Sequence, residues 1–289
     1  TNMIMQAAFF KLSEVLPLDE AIAHLKDSIV KSYGRKGEKV VNMNYEAVDK
    51  GIEELKEIKY PESWKDLKDE KEEKKETTKF FEEIAEVMNA QKGDTLPVSK
   101  FVGIEDGTFE NGTAKFEKRA IAVNLPKWHK ENCIQCNQCS YICPHAVIRP
   151  ILLNDEEAAK APETFETIEA KGKGLEGLQY RMQVSSLDCT GCGNCADICP
   201  AKEKALEMVH FEDIAEVESE NWDFAMDEVE VKDDLMDKFS VKGSQFQQPL
   251  LEFSGACAGC GETAYAKLIT QLYGDRMIVA NATGCSSIW

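Results

Sequence analysis

The stretches CIQCNQCSYICP (residues 133–144) and CTGCGNCADICP (residues 189–200) decide what this chain folds around. Both read C-x2-C-x2-C-x3-C-P. One run places Cys133, Cys136, Cys139 and Cys143, the other Cys189, Cys192, Cys195 and Cys199. Disulfides spread cross-links along a chain, whereas metal sites gather thiols at two- and three-residue gaps. None of the 11 cysteines lies before residue 133. Zinc ribbons use cysteine pairs separated by a longer gap, so three thiols in close succession point to iron–sulfur cubanes rather than zinc.

The same run occurs in two-cluster bacterial ferredoxins. Three cysteines at two-residue gaps wrap a loop around one cubane, with backbone amides facing its sulfides. The fourth lies past a turn, begins a helix and points at the neighbouring cluster. Cluster one is therefore expected to take Cys133, Cys136, Cys139 and Cys199, and cluster two Cys189, Cys192, Cys195 and Cys143. Residues 144–188 form an insertion between the runs, in which KGKGLEGLQY reads as a loop entering a strand. His145 follows Cys-Pro, but with four cysteines assigned to each cube it is read as an outer-layer or solvent-facing histidine.

Composition narrows the function. With 34 Lys+Arg against 52 Asp+Glu and a net charge of −18, the chain has nothing with which to neutralise nucleic-acid phosphates. No run of about 18 apolar residues indicates a membrane span, and no secretory signal is visible. The opening TNMIMQ does not resemble a natural start.

Residues 1–60 read as helices joined by short turns. Ile4, Ala7, Ala8 and Leu12 share one helical face, and Leu18, Ala21, Ile22, Leu25 and Ile29 another. EKVVNM (38–43) reads as a short strand, followed by Tyr45, Val48, Ile52 and Leu55 at helical spacing, the pattern of the end of an α/β domain. The charge run Lys68–Lys75 reads as a solvated linker or helix face rather than an interaction tail. Phe80, Phe81, Ile84, Val87 and Met88 form an apolar stripe that Gly93 can end. A small domain is expected over 62–127, the cysteine domain over 128–210, an acidic surface connector over 211–248, and the start of another α/β unit over 249–289.

A third motif lies in that last segment. Cys257 and Cys260 precede GETAYAKLITQLYG, read as a helix with Ala264, Leu268, Ile269 and Leu272 on one face, and RMIVANA then reads as a buried strand. A helix of about 13 residues runs roughly 20 Å, and six strand residues return about as far. Antiparallel packing would bring Cys285 back beside Cys260, at the carboxyl end of a strand where open α/β sheets place cofactors. Three convergent thiols make a site lacking one ligand.

Taken together, FEKRAIAVNLP (with Glu117, Lys118 and Arg119), both cysteine runs, GACAGCGET and ATGCSSIW resemble the central part of the pyruvate:ferredoxin (flavodoxin) oxidoreductases. These are thiamine diphosphate enzymes of anaerobic metabolism. The opening TNMIMQAAFFKLS resembles the end of that family's gamma-type domain, and the likeness covers the whole chain. It implies a multidomain α+β and α/β fragment. In order these are the end of the gamma-type domain (1–60), the small EKR linking domain (62–127), a two-cluster ferredoxin-type domain (128–210), the acidic connector and the start of the thiamine-binding domain.

The resemblance further implies a proximal cluster on Cys257, Cys260 and Cys285, its fourth ligand lying beyond Trp289. It implies thiamine diphosphate contacts at Glu262 and Cys285, although Glu262 alone would pass for a first-turn glutamate favoured by the helix dipole. Asn2 and Asn44 match positions approaching coenzyme A, with Asn44 equally explained as an N-cap. The implied reaction is oxidative decarboxylation of pyruvate with coenzyme A to acetyl-CoA and CO2. It would use thiamine diphosphate with Mg2+ and three [4Fe–4S] clusters, and pass electrons to ferredoxin or flavodoxin in a cytoplasmic or hydrogenosomal homodimer. The magnesium motif and the pyruvate-binding domain lie outside this chain, which is expected not to turn over alone. A standalone polyferredoxin is the rival reading. It explains residues 128–210 but leaves EKRAIA and GCSSIW without a role.

Overall fold

Helical spacing over the first residues produces three helices: α1 (Asn2–Ser13), α2 (Leu18–Tyr33) and α3 (Glu38–Glu53). They belong to the first of two compact units, Thr1–Lys74 and Lys75–Trp289. The computed structural model describes residues 2–67 and 77–287, so the Lys68–Lys75 charge run lies outside the described residues. On α2, Ala21, Leu25 and Ile29 are buried as their spacing predicts. The buried face of α1 is instead Met3, Ala7 and Phe10, while Ile4 and Leu12 are exposed. EKVVNM is not a strand but the first turns of α3. Val41, Tyr45, Val48 and Ile52 recur at helical spacing from its second valine onward, and that longer period outweighs a short apolar run. Gly51 lets α1 and α3 touch, since a Cβ there would stand 3.0 Å from the Ile4 backbone.

The second unit opens with a π-turn at Phe81–Ala85 running into α4 (Glu86–Asn89), with Phe81 and Ile84 buried. Phe81 packs on Phe116 with ring centroids 5.1 Å apart. Gln91, in the left-handed conformation at φ 58°, follows the helix end ahead of Gly93. The chain then enters β1 (Asn124–Trp128), α5 (Gln138–Ile142), β2 (Ile148–Leu153), α6 (Asp155–Lys160), β3 (Ile168–Glu169) and β4 (Gln179–Val184). The stretch between the two cysteine runs thus supplies a three-stranded sheet in the order β2-β4-β3. After α7 (Asn194–Ile198), β5 (Leu206–His210) returns to pair with β1, Asn124 opposite His210 and Trp128 opposite Leu206. Every strand pair among the described residues is antiparallel. Among the described residues no strand forms in 2–67 or 249–287, the stretches read as the end and the start of α/β domains. Pro126 and Pro150 sit in edge strands, where a missing N–H is tolerated.

The acidic stretch after residue 210 is not a surface connector over its first half. It forms α8 (Phe211–Asp227), a 17-residue helix with Ala215, Trp222 and Ala225 buried. Its apolar period is narrow and was masked by the surrounding acids. One of those acids, Glu218, lies on the inner face and accepts from Arg181 at 3.0 and 3.1 Å and from Gln183 at 2.7 Å. The short α9 (Val241–Ser244) and then α10 (Thr263–Tyr273) complete the helices. RMIVANA is not a strand: Ile278 is 98% exposed, and no described strand lies beside it to take up its backbone hydrogen bonds. No helix is long and apolar enough to cross a membrane among the described residues.

Candidate iron–sulfur sites

The two cysteine runs fold into matching loops. In the second run, Gly191 and Gly193 take left-handed conformations at φ 68° and 80°. The equivalent positions of the first run hold Gln135 and Asn137, at φ 56° and 58°. A side chain in that region is strained, and here hydrogen bonds hold it. Gln135 donates to the Glu169 carbonyl at 2.7 Å and accepts from the Lys171 amide at 2.7 Å. Asn137 donates to the Lys242 carbonyl at 3.0 Å and accepts from the Tyr180 hydroxyl at 2.8 Å. Both residues are buried. The insertion sheet therefore braces a loop that glycine alone allows in the second run.

Each loop lines one cavity. Cys133, Cys136, Cys139 and Cys199 surround the first, closed by Trp128, Tyr180 and Met182. Cys143, Cys189, Cys192 and Cys195 surround the second, with His145, Val147 and Met208. Three thiols come from one run and the fourth from the end of the other, because α5 and α7 each carry the chain one turn past the third cysteine. Each cavity is small, about 20 Å³. Among the described residues no three His, Cys, Asp or Glu side chains gather closely enough for a single ion.

A buried ring nitrogen belongs to the wall of each space. Trp128 Nε1 and His145 Nε2 have no hydrogen-bond partner, and one lines each cavity. The Trp128 indole faces the Cys133 sulfur. A buried ring nitrogen without a well-formed hydrogen bond is costly, and the sulfur of a cubane would be a further acceptor for the Trp128 N–H, now turned only toward Cys133. The amides are aligned as well: Gly191 N lies 3.4 Å from Cys189 Sγ and Ala205 N 3.5 Å from Cys199 Sγ. Burial pushes the Cys189 thiol up to about 12 and raises Cys133, Cys139 and Cys195 too. These four thiols therefore keep their protons at neutral pH, and cluster assembly must release them. His145, read from sequence as outer-layer or solvent-facing, is not solvent-facing: it is 2% exposed and lines the second cavity, its own affinity for a proton lowered by burial.

The third motif packs onto the second cavity's wall. Phe253 N donates to the His145 carbonyl at 2.9 Å, and a Cβ at Gly259 would stand 3.4 Å from both Cys192 Cβ and Asn194 Nδ2. Cys257 is exposed and Cys260 half-buried at the start of α10. Cys285 is exposed in a single turn, Cys285–Ser287, held by a 2.7 Å bond from Asn281 to the Ser286 carbonyl. The expected return strand is absent, so the geometry that was to bring Cys285 back to Cys260 is not formed. Glu262 is the exposed N-cap of α10, without a side-chain capping bond. In the first unit Asn2 is exposed at the first turn of α1. Asn44 is not an N-cap: it lies within α3 and donates back to the Val40 carbonyl at 2.8 Å.

The amides of Glu262 and Thr263 point at Cys260 and hold its thiol below the usual range, as a helix N-terminus does. In the reduced, metal-free chain, iodoacetamide at neutral pH is expected to label Cys260 several-fold faster than Cys257, although Cys257 is the more exposed. A mass-spectrometric time course with the opposite order would remove the helix-terminus argument.

Sequence reasoning missed the charged residues that support the cavities. Lys118 of the Glu-Lys-Arg triplet pairs with Asp188, the neighbour of Cys189, and lies 5.1 Å over the Phe253 ring. Arg149 pairs with Glu252 and lies 4.9 Å over Trp222. Arg181 stacks 4.7 Å over Phe165 besides binding Glu218. Only the triplet carried any signal in the sequence.

Two family models match parts of this chain. A domain of unknown function called EKR matches residues 67–122, and a 4Fe-4S double cluster binding domain matches residues 132–234. The chain is 61% identical over 289 residues to a pyruvate:ferredoxin oxidoreductase of Moorella thermoacetica. It is 56% identical over 288 residues to a pyruvate-flavodoxin oxidoreductase of Enterobacter agglomerans and 50% over 289 residues to one of Klebsiella pneumoniae. Each match covers 100% of this chain and 24% of the relative. The chain spans about a quarter of the length of the curated relatives it matches.

Proposed function

We propose that this chain is the electron-carrying section of a pyruvate:ferredoxin (flavodoxin) oxidoreductase. The observation that carries the reading is the pair of cavities, each walled by three cysteines of one run and the last cysteine of the other. Held there, two [4Fe–4S] clusters would supply one-electron transfer. The chain's own residues then bind them through eight thiolates, exclude water with Trp128, Tyr180 and Met182, and seat the third motif beside the second site through Gly259.

In this reading Cys257, Cys260 and Cys285 are ligands of a third cluster completed from outside these 289 residues. Glu262 and Cys285 approach thiamine diphosphate with its Mg2+, and Asn2 and Asn44 approach coenzyme A. The full-length protein, a cytoplasmic or hydrogenosomal homodimer, would decarboxylate pyruvate oxidatively to acetyl-CoA and CO2 and deliver electrons to ferredoxin or flavodoxin. What supports this is the whole-chain identity to relatives so named. A standalone polyferredoxin leaves the matched EKR segment unexplained.

Anaerobic reconstitution of this chain with iron and sulfide is expected to give about eight irons per chain in two [4Fe–4S] clusters. About four irons, or zinc in their place, would overturn the two-cluster reading. The full-length polypeptide is expected to reduce ferredoxin or flavodoxin only when both pyruvate and coenzyme A are present. Reduction without either would overturn the assignment of the reaction.

A further inference from the structure

The buried charged residues among the described residues are Arg149, Glu157, Arg181 and Lys267, and the Asp188 side chain, paired with Lys118, is buried as well. Arg149 pairs with Glu252, Glu157 with Lys232 and Arg181 with Glu218. Lys267 is 1% exposed and meets neutral acceptors: the Ser140 carbonyl and, at 3.2 Å, Gln245 Oε1. An ammonium buried without a counter-charge is strongly disfavoured. Hydrophobic patterning does not account for it either. On α10 the buried positions are Thr263, Lys267 and Gln271, a polar stripe, while Ile269 of the expected apolar face is 46% exposed.

The acceptor shows what the charge is for. Ser140 lies on α5, the short helix that carries Cys139 and is capped by Cys143. Cys139 lines the first cavity and Cys143 the second. The Ser140 carbonyl that takes the Lys267 ammonium also accepts from the Cys143 amide at 3.2 Å. Lys267 thus reaches, from the helix of the third motif, the one turn of chain shared by both sites. A cubane held by four thiolates is an anion, and each added electron makes it more so.

We propose that the Lys267 ammonium is the counter-charge of both clusters, set from α10 against the helix that joins them so as to favour their reduced states. This rests on the two-cluster reading above. Burial, together with the Arg149 charge, lowers the lysine's proton affinity to about 8, and negative charge at Cys143 and Cys139 would raise it. At pH 7 it is therefore mainly charged. A full charge at short range in a protein interior of effective dielectric about 20 is worth roughly tenfold or more in an equilibrium.

The test is an anaerobic redox titration at pH 7, followed by electron paramagnetic resonance, on iron-loaded protein. Lys267→Gln keeps a donor for the Ser140 carbonyl without the charge, Lys267→Met removes both, and Lys267→Arg keeps the charge. The neutral variants are expected to disfavour reduction of both clusters by roughly tenfold or more, a drop of about 59 mV per tenfold for one electron, with Lys267→Arg near wild type. Lys267→Gln with full iron and unchanged potentials would overturn the proposal. Iron lost from both neutral variants but kept by Lys267→Arg would support it, since the charge itself would then be what holds the clusters. Iron lost from all three would overturn it in favour of a packing role. An iron count near eight in the wild type keeps failure here distinct from failure of the two-cluster reading.

Discussion

Cys143→Ala is expected to empty the second site while sparing the first, even though Cys143 belongs to the first run in sequence. Its sulfur lines the cavity of Cys189, Cys192 and Cys195, so its loss leaves one iron of that cluster without a protein ligand. Reconstituted variant should carry about four irons per chain instead of about eight, with the spectrum of a single intact cluster. Cys199→Ala should do the converse, because Cys199 lines the first cavity. The reciprocal pair identifies which site each variant disturbs. Adding Cys192→Ala to Cys143→Ala should remove little further iron, since both strike one site. If that double variant instead lost nearly all its iron, each run would be keeping its own fourth cysteine.

Arg181→Met should produce the largest loss of stability away from the cysteines. Arg181 is 3% exposed, and its guanidinium binds both oxygens of Glu218, which is itself largely buried on α8. It also donates to the Glu166 carbonyl at 3.1 Å and covers the Phe165 ring. Removing it strands a carboxylate with only Gln183 as a donor, and breaking such a pair costs about 3–5 kcal/mol. Chemical denaturation of the iron-loaded protein should show the loss. Arg181→Met combined with Glu218→Gln should recover a large part of it, because the orphaned charge is gone. A double variant no better than the single would mean that the loss came from packing against Phe165 and not from the ion pair.

The crossed ligation behind the first prediction is legible in the cysteine spacing, but the second concerns how separate parts of the chain meet, and there the sequence was least informative. The helical period of α2 and the loop-to-strand reading of KGKGLEGLQY match the structure because both rest on nearest-neighbour geometry. EKVVNM and RMIVANA were both misread as strands. A short apolar run does not say whether another strand will lie beside it, and a strand without a partner has nowhere to place its amides. The acidic stretch after residue 210 was read by its average charge, whereas Ala215, Trp222 and Ala225 make a buried face and Glu218 faces inward because Arg181 does.

What the sequence determined by itself was the ligand chemistry. Two- and three-residue gaps between thiols bend a loop around a cubane, and that is a property of a dozen consecutive residues. Only the tertiary structure decided what surrounds those loops. Gln135 and Asn137 hold left-handed turns because the Glu169 and Lys242 carbonyls, distant in sequence, reach them. Lys267 lies against Ser140 because α10 packs back onto α5. Such placements depend on long-range packing and on the cost of leaving a buried polar group alone, and neither is written in the spacing of neighbouring residues.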